Sequence, residues 1–341
     1  NKGAEIIKRG EASVAVVMED LKAIAKSQNF RKEPKKNITL DSLKFNKVQI
    51  FGNKKYSDSY IFGKLRFRRG EIISFDDFSK GVNNLLATNN FDSFRYSFSP
   101  QNSNAYDFTA NINETTTTSL LKFGLHYDQV LKSSALLNFT QKQFLLQNDV
   151  LSLDLILGDN TRFNFDYYID KGFYWSIGFN IKRTTFKYDI NPLFFDSSLP
   201  SQIDSDIPIR ISDFTTEFFV ETLIKKDLSF KLGARFKQLA IEASSPSLVS
   251  VFQASEYQIE NSDFFSLNSS LKYDTLDNVF FPSDGLLFMT ASELYLSASN
   301  HQNFSQFLAI KTNIAKAFAL STNFSLLVGI EGGLRIGNGN V

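Results

Sequence analysis

The residues able to do chemistry in this chain are few, and their spacing does not assemble a catalytic site. Only two histidines occur, His126 and His301, and cysteine is absent. Disulfide frameworks and thiolate metal sites are therefore excluded. His126 alternates with apolar residues and reads as a hydrogen-bonding side chain inside a sheet, and His301 falls in a polar loop. Asp204, Asp206 and Asp213 are acidic neighbours, but they lack the ligand spacing of a known Ca²⁺ loop. No metal and no cofactor is implied. The one compact motif is YDTLDNVFFPSDG at 273–285, holding Asp274, Asp277, Asn278, Phe281, Pro282 and Gly285. Its chemistry is that of a turn: Pro282 and Gly285 shape the backbone, and Asp277 and Asn278 can hydrogen-bond it. These six residues are structural candidates, and no catalytic residue is assigned.

The elements around this motif change character along the chain. Residues 4–28 predict one helix, with Ile7, Val14, Val17, Leu21 and Ile24 on a single stripe that needs a partner surface. FRKEPKKN at 30–37 is charged, carries Pro34 and reads as a linker. Next come a strand at 43–53, a short helix at 56–65, and a helix at 74–88. For the last, Ser74 is the candidate N-cap, Asp76 and Asp77 suit the positive end of the helix, and Phe75, Phe78, Val82, Leu85 and Leu86 form the apolar face. Strands at 91–98 and 105–114 follow, completing a β-α-α-β-β order.

Beyond 119 the helical period disappears and alternation takes over. Leu121, Phe123, Leu125 and Tyr127 oppose Lys122, Gly124 and His126; Phe163, Phe165, Tyr167 and Ile169 oppose Arg162, Asn164 and Asp166; Phe173, Trp175, Ile177 and Phe179 oppose Ser176, Gly178 and Asn180. About eleven such strands of about ten residues fit between 119 and 337. GDNT (158–161), DKG (170–172) and KKD (225–227) read as tight turns, whereas 184–212 and 243–262 read as long polar loops. Aromatics make up 14 % of 341 residues, with 36 Phe and 12 Tyr, yet mean hydropathy is slightly negative. A soluble β-sandwich also alternates, but its strands average about six residues. Strand length and the contrast of tight turns with long loops therefore favour a transmembrane β-barrel, in which Tyr167, Tyr174 and Trp175 are candidates for an interfacial girdle. No run approaches eighteen apolar residues, so a membrane-spanning helix is not expected. A net charge of +1 offers nothing to nucleic acid.

KVQIFGNKKYSDSYIFGKL together with RRGEIISFDDFSKGVNNLLATNNFDSFRYSF resembles a POTRA domain (polypeptide-transport-associated domain). The hairpin at 273–285 resembles the D-x-x-D-N-x-x-F-P-x-x-G hairpin of the bacterial surface antigen barrels, outer-membrane assembly factors and their relatives. The Arg-containing lumenal loop of those barrels is not in this sequence. The expected fold is mainly β. An antiparallel outer-membrane barrel at 115–341, incomplete with about eleven strands of a parental sixteen, follows a POTRA domain at 38–114 and a helix with linker at 1–37. Residues 120–178 are similar to the barrels attached to patatin-like phospholipases of Bacteroidetes type, and the first helix is similar to the last helix of a patatin domain. That resemblance implies a lipid acyl hydrolase whose Ser-Asp dyad lies before Asn1. Neither G-x-S-x-G nor a D-G-G/A motif occurs, since the only Asp-Gly is Asp284-Gly285 in the hairpin. The alternative is a non-enzymatic assembly factor or transporter of the same superfamily, and a third option is a structural barrel. The implied partners are outer-membrane lipids and client strands at the POTRA domain; the lysine and arginine pairs at 54–55 and 68–69 read as a solvated face that could touch headgroups.

Overall fold

The computed structural model describes residues 3–27, 42–68, 70–101, 105–128, 132–190, 207–244, 256–299, 304–321 and 323–337. The linker at 30–37, Asp204, Asp206 and His301 lie outside them. Contacts divide the chain into two units, before and after the Asp41–Ser42 junction.

The first unit is helical. The spacing predicts one helix, but two form: α1 (Gly3–Val16) and α2 (Met18–Ser27). The break at Val17 follows a cluster of β-branched residues, Val14, Val16 and Val17, which restrict side-chain freedom in a helix. The stripe of Ile7, Val14, Val17, Leu21 and Ile24 is exposed throughout.

The second unit opens with an α/β domain. Its elements are β1 (Ser42–Phe51), α3 (Asp58–Leu65), β2 (Ile72–Ser74), α4 (Phe75–Ala87), β3 (Phe91–Pro100) and β4 (Tyr106–Glu114). The three-residue β2 is absent from the expected β-α-α-β-β order. It is too short to show alternation, and only pairing with β1 creates it. The sheet order is β2-β1-β4-β3, with β1 and β4 parallel at the centre. The second helix starts at the expected cap, Ser74, and the first, expected from 56, starts at Asp58 behind an unexpected cap, Ser57. The Ser57 hydroxyl accepts from the Tyr60 N–H at 3.3 Å, and the Ser74 hydroxyl from the Asp77 N–H at 3.0 Å. The core is aromatic. Phe78 is fully buried, with the rings of Tyr96, Phe98 and Phe108 at 4.9, 5.3 and 5.6 Å between centroids. Of the expected apolar face of α4, Phe78 and Leu85 are buried, whereas Phe75 and Leu86 are exposed.

The remaining chain is one antiparallel meander, β5 to β15, in an eleven-stranded sheet with every strand beside its sequence neighbours. The strands are β5 (Ser119–Asp128), β6 (Lys132–Lys142), β7 (Asp149–Gly158), β8 (Arg162–Ile169), β9 (Ser176–Ile190), β10 (Ile207–Lys225), β11 (Leu228–Ser244), β12 (Glu256–Asp274), β13 (Gly285–Ala298), β14 (Phe307–Ala319) and β15 (Ser325–Ile336). Register carries the alternation across the sheet: Leu121, Phe139, Leu153, Phe165 and Ile181 are successive partners. One position on, Asn138, Asp154, Asn164 and Lys182 pair in the same way. One face is thus apolar and the other polar, as a barrel between lipid and a wet lumen requires. No helix among the described residues is long and apolar enough to cross a membrane, and the strands do the crossing.

Three details differ from the expected layout. Strands β10 and β12 are each 19 residues long, so much of 184–212 and 243–262 is strand rather than loop. A crossing needs about ten residues, so these strands are longer than a crossing requires, and their pairing continues to Ile207 and Ser244. There one face keeps a small apolar patch, with Ile209 and Ala243 buried and Ile211 and Ile241 packed against them, so alternation persists in these extensions. Phe173 and Trp175 precede β9 and lie in the turn, because the strand begins at Ser176. The tight turn at 158–161 shares its end of the sheet with the long loops and not with the other tight turns. In a meander alternate connections fall at the same end, so the turns after β6, β8, β10, β12 and β14 share one end and those after β7, β9 and β11 the other.

Candidate functional site

Three features at or inside the barrel carry the polar chemistry of the molecule. The first is the concave polar face. Asn138 Nδ2 donates to Asp154 Oδ1 at 2.6 Å and to Ser152 Oγ at 3.1 Å. Asn180 Nδ2 donates to Asp166 Oδ1 at 2.6 Å and to Asn164 Oδ1 at 2.9 Å, and Asn164 Nδ2 donates to Asp166. Further round, Glu217 accepts from Lys231 at 2.6 Å and Arg235 at 2.9 Å, while Arg235 also reaches Glu293 at 2.7 Å. Ser266 completes Glu293 at 2.6 Å. Asn138, Asp154, Asn164, Asn180, Glu217, Arg235 and Glu293 border a cavity of about 1000 Å³. Its donors and acceptors are largely engaged with one another. That is a wall of paired charges and amide dipoles.

The second feature joins the α/β domain to the barrel. Every barrel partner sits in or beside a turn at the end shared by the β6–β7, β8–β9 and β10–β11 connections. The Ser57 N–H donates to Asn148 Oδ1 at 2.9 Å, and Asn148 Nδ2 returns to the Ser57 hydroxyl at 2.8 Å. Lys142 Nζ caps the end of α4, reaching the carbonyls of Thr88 (3.1 Å) and Asn89 (3.3 Å) and Asn90 Oδ1 (2.5 Å). That places a cation on the negative end of the helix and uses all three of its N–H groups. Lys64 meets Asp170 at 2.5 Å, Arg66 meets Asp227 at 3.0 Å, and Lys226 meets Asp77 at 2.9 Å. The Lys226 ammonium holds the Asp77 carboxyl below the usual carboxylate range. The Arg68 guanidinium lies 4.9 Å from the Phe173 ring centre. At the centre Gly63 faces Gly172: a Cβ on Gly63 would stand 2.3 Å from Gly172 Cα.

The third feature is the hairpin at 273–285. Asp277 Oδ1 accepts from the N–H groups of Ser283 (2.8 Å) and Asp284 (3.1 Å), and the Ser283 hydroxyl donates to its other oxygen. Donation by Ser283 and by these backbone groups lowers the Asp277 pKa to about 2. Asn278 Oδ1 accepts from the Phe280 and Phe281 N–H groups at 2.9 and 3.0 Å. Asp274 Oδ1 accepts from the Leu276 N–H at 3.2 Å and pairs with Lys272 at 2.9 Å. Gly285 has φ +111°, and a Cβ there would meet the Thr275 carbonyl at 2.2 Å, so the position needs glycine. Phe281 is exposed, and Pro282 lies in the same turn.

The other sequence candidates separate from one another. His126 is on the polar side of β5, opposite Ser134. Asp213 pairs with Lys237 at 2.9 Å. Tyr167 donates to Asp149 at 2.7 Å, while Tyr174 and Trp175 are exposed in the β8–β9 turn. Among the described residues no group of three His, Cys, Asp or Glu side chains could hold a metal. Of the paired cations, Arg68 turns to the barrel, and the backbone N–H groups of Lys54 and Lys55 are held by Glu114. Sequence reading missed the domain–barrel contact altogether. Its only signal is that Asn148, Asp170, Lys226 and Asp227 all fall in alternate turns, and hence at one end.

An antiparallel meander with one apolar face, one polar face and an α/β domain seated at one end has the architecture of an outer-membrane β-barrel with a periplasmic domain. The chain belongs to the OMP85 superfamily, which it matches over residues 106–341; residues 43–115 match the POTRA family, described as the surface antigen variable number repeat. It is therefore an outer-membrane protein whose POTRA domain is periplasmic. No curated protein matches it in sequence. Among solved structures it is similar to BamA from Haemophilus ducreyi lacking POTRA domains 1–3, with TM-score 0.53 and 19 % identity over 86 % of this chain and 55 % of that one. It is also similar to CdiB from Acinetobacter baumannii, with TM-score 0.47 and 11 % identity over 87 % of this chain and 54 % of that one. The chain thus spans about half the length of these two relatives.

Proposed function

We propose that this chain is the barrel and membrane-proximal POTRA domain of a non-enzymatic factor that assembles or transports outer-membrane proteins. The observation that carries the reading is the edge strand of the seated domain. β3 pairs only with β4, so ten residues present one unpaired row of backbone groups next to the periplasmic rim of the barrel. Such an edge accepts an added strand through main-chain hydrogen bonds, with little demand on the client's sequence. The partners would be extended client strands, and lipids around the barrel. The test is site-specific photocrosslinking from Arg95 and Ser97 on β3 during client assembly in reconstituted membranes. Client adducts at β3 that are lost on Ser97→Pro support the reading, and adducts confined to other faces refute it.

A second reading is an anchor for a patatin-like phospholipase. It is favoured by the exposed apolar stripe on α1 and α2, which needs a partner surface, together with the resemblance of residues 120–178. Here the barrel would hold the enzyme and POTRA would space it from the membrane. Acyl-ester hydrolysis by the parent protein, abolished by replacing a serine upstream of Asn1, would favour this reading over the first.

A further inference from the structure

Three of the periplasmic turns, those after β6, β12 and β14, have an unusual composition. Turns in water carry mostly polar side chains. The turn at 143–148 instead exposes Phe144, Leu145 and Leu146, and the hairpin at 275–284 exposes Val279, Phe280 and Phe281 at 84–89 % of their full surface. The β14–β15 turn exposes Leu320 and Phe324. At the opposite end, the short turn after β7 is Asp159, Asn160 and Thr161, with no apolar residue.

The same turns withdraw their backbone donors from solvent. Asp149 accepts the N–H groups of Phe144, Leu145 and Leu146 at 2.7, 2.8 and 2.8 Å. Asn278 accepts those of Phe280 and Phe281, and Asp277 those of Ser283 and Asp284. In the third turn the Phe324 carbonyl accepts from the N–H groups of Leu320 and Ser321 at 2.9 and 3.1 Å. Three turns of different sequence thus share one arrangement: apolar side chains outward, backbone N–H groups bonded within the turn. Such bonds also close turns in water; it is their combination with outward apolar side chains that sets these turns apart. A turn entering a medium of low polarity requires such bonds, because an unpaired N–H is costly there.

We propose that these turns insert into the periplasmic leaflet of the outer membrane, with phospholipid as the occupant of the exposed apolar tips. Continuity with the lipid face supports lipid over protein. Phe318, exposed on the side of β14 that carries Ile310 and Ile314, leads directly into Leu320. The carboxylates at the turn bases stay charged, but N–H donors take the place of water at their oxygens, which lowers the cost of bringing them to the interface. The inference rests on the outer-membrane placement of the barrel and not on what the barrel carries.

These 341 residues contain no cysteine, so single labelling sites can be introduced within them. Leu145→Cys, Phe280→Cys and Leu320→Cys would each be labelled with an environment-sensitive fluorophore. The proteins would be reconstituted in phosphatidylethanolamine–phosphatidylglycerol vesicles containing brominated phosphatidylcholine. Leu232→Cys on the lipid face of β11 and Lys80→Cys on α4 serve as references. Quenching at the three turns of at least about half that at 232, with little at 80, is expected for tips seated at the headgroup–acyl boundary. Quenching at 232 with turns that behave like 80 overturns the insertion. A label at 232 that is itself unquenched removes the membrane placement, and the insertion with it.

Discussion

Gly63→Ala separates two effects that one substitution rarely separates. Within α3 the change is favourable, since alanine stabilises a helix interior over glycine by about 0.5–1 kcal/mol. The three atoms nearest the new methyl all belong to Gly172 across the domain–barrel contact, the closest at 2.3 Å. Carbon atoms pack at about 3.5–4.0 Å, so the surfaces must part by roughly 1.5 Å. That stretches the Lys64–Asp170 pair from 2.5 Å and the Arg66–Asp227 pair from 3.0 Å. Overpacking of this kind costs about 1–3 kcal/mol, equivalent to about a 5- to 140-fold rise in the undocked population. Amide hydrogen exchange reads that population whatever the absolute stability of the contact. The Ser57 N–H bonds to Asn148 across the interface, whereas the Ile61 N–H bonds to the Ser57 carbonyl inside the helix. Exchange at Ser57 should accelerate by that factor, while exchange at Ile61 stays constant or slows. An unchanged Ser57 would refute the close approach of the two glycines. Acceleration at both amides would show that the methyl clashes within the domain instead.

The Asp77–Lys226 pair should make docking pH-dependent. Because the Asp77 pKa is lowered in the folded protein, its contribution is complete above the unfolded carboxylate value of about 4 and is lost as pH falls through the lower folded value. Both side chains are over a third exposed, so Asp77→Asn should cost no more than ~1 kcal/mol and flatten the acid limb of Ser57 exchange. Asp277→Ala should accelerate exchange at the Ser283 and Asp284 amides. In the parent protein those amides should lose protection between about pH 4 and about pH 2, the folded value. A parent profile flat across that window would contradict the carboxylate's role in the turn. Phe78→Ala should cost the POTRA domain about 3–5 kcal/mol and open it to limited proteolysis, while unboiled barrel keeps its fast gel mobility. Loss of both together would mean that the barrel depends on the domain for its own stability.

Much of this architecture is legible in the residues alone. Leu121, Phe123, Leu125 and Tyr127 against Lys122, Gly124 and His126 state the two faces of a strand, because side chains alternate with a period of two. Repetition of that pattern over eleven strands, with Ser74 before Phe75 and Asp77 to start a helix, determines the element types and the barrel class by local chemistry. The hairpin residues Asp277, Asn278 and Gly285 are legible for the same reason, since a turn closes on itself. The limits of the sequence are the limits of locality. β2 exists only through its pairing with β1, and the ends of β9 to β12, polar enough to read as loops, become strand through cross-strand pairing. The seat of the POTRA domain depends on Lys142, Asn148, Asp170, Gly172 and Lys226, which are distant in sequence from Asn90, Ser57, Lys64, Gly63 and Asp77. Each is an ordinary turn or strand-end residue until folding brings the periplasmic turns together. The sequence by itself determined which residues face lipid and which face the lumen. Only the tertiary structure decided what the turns hold, because that follows from strand order and register rather than from any run of neighbouring residues.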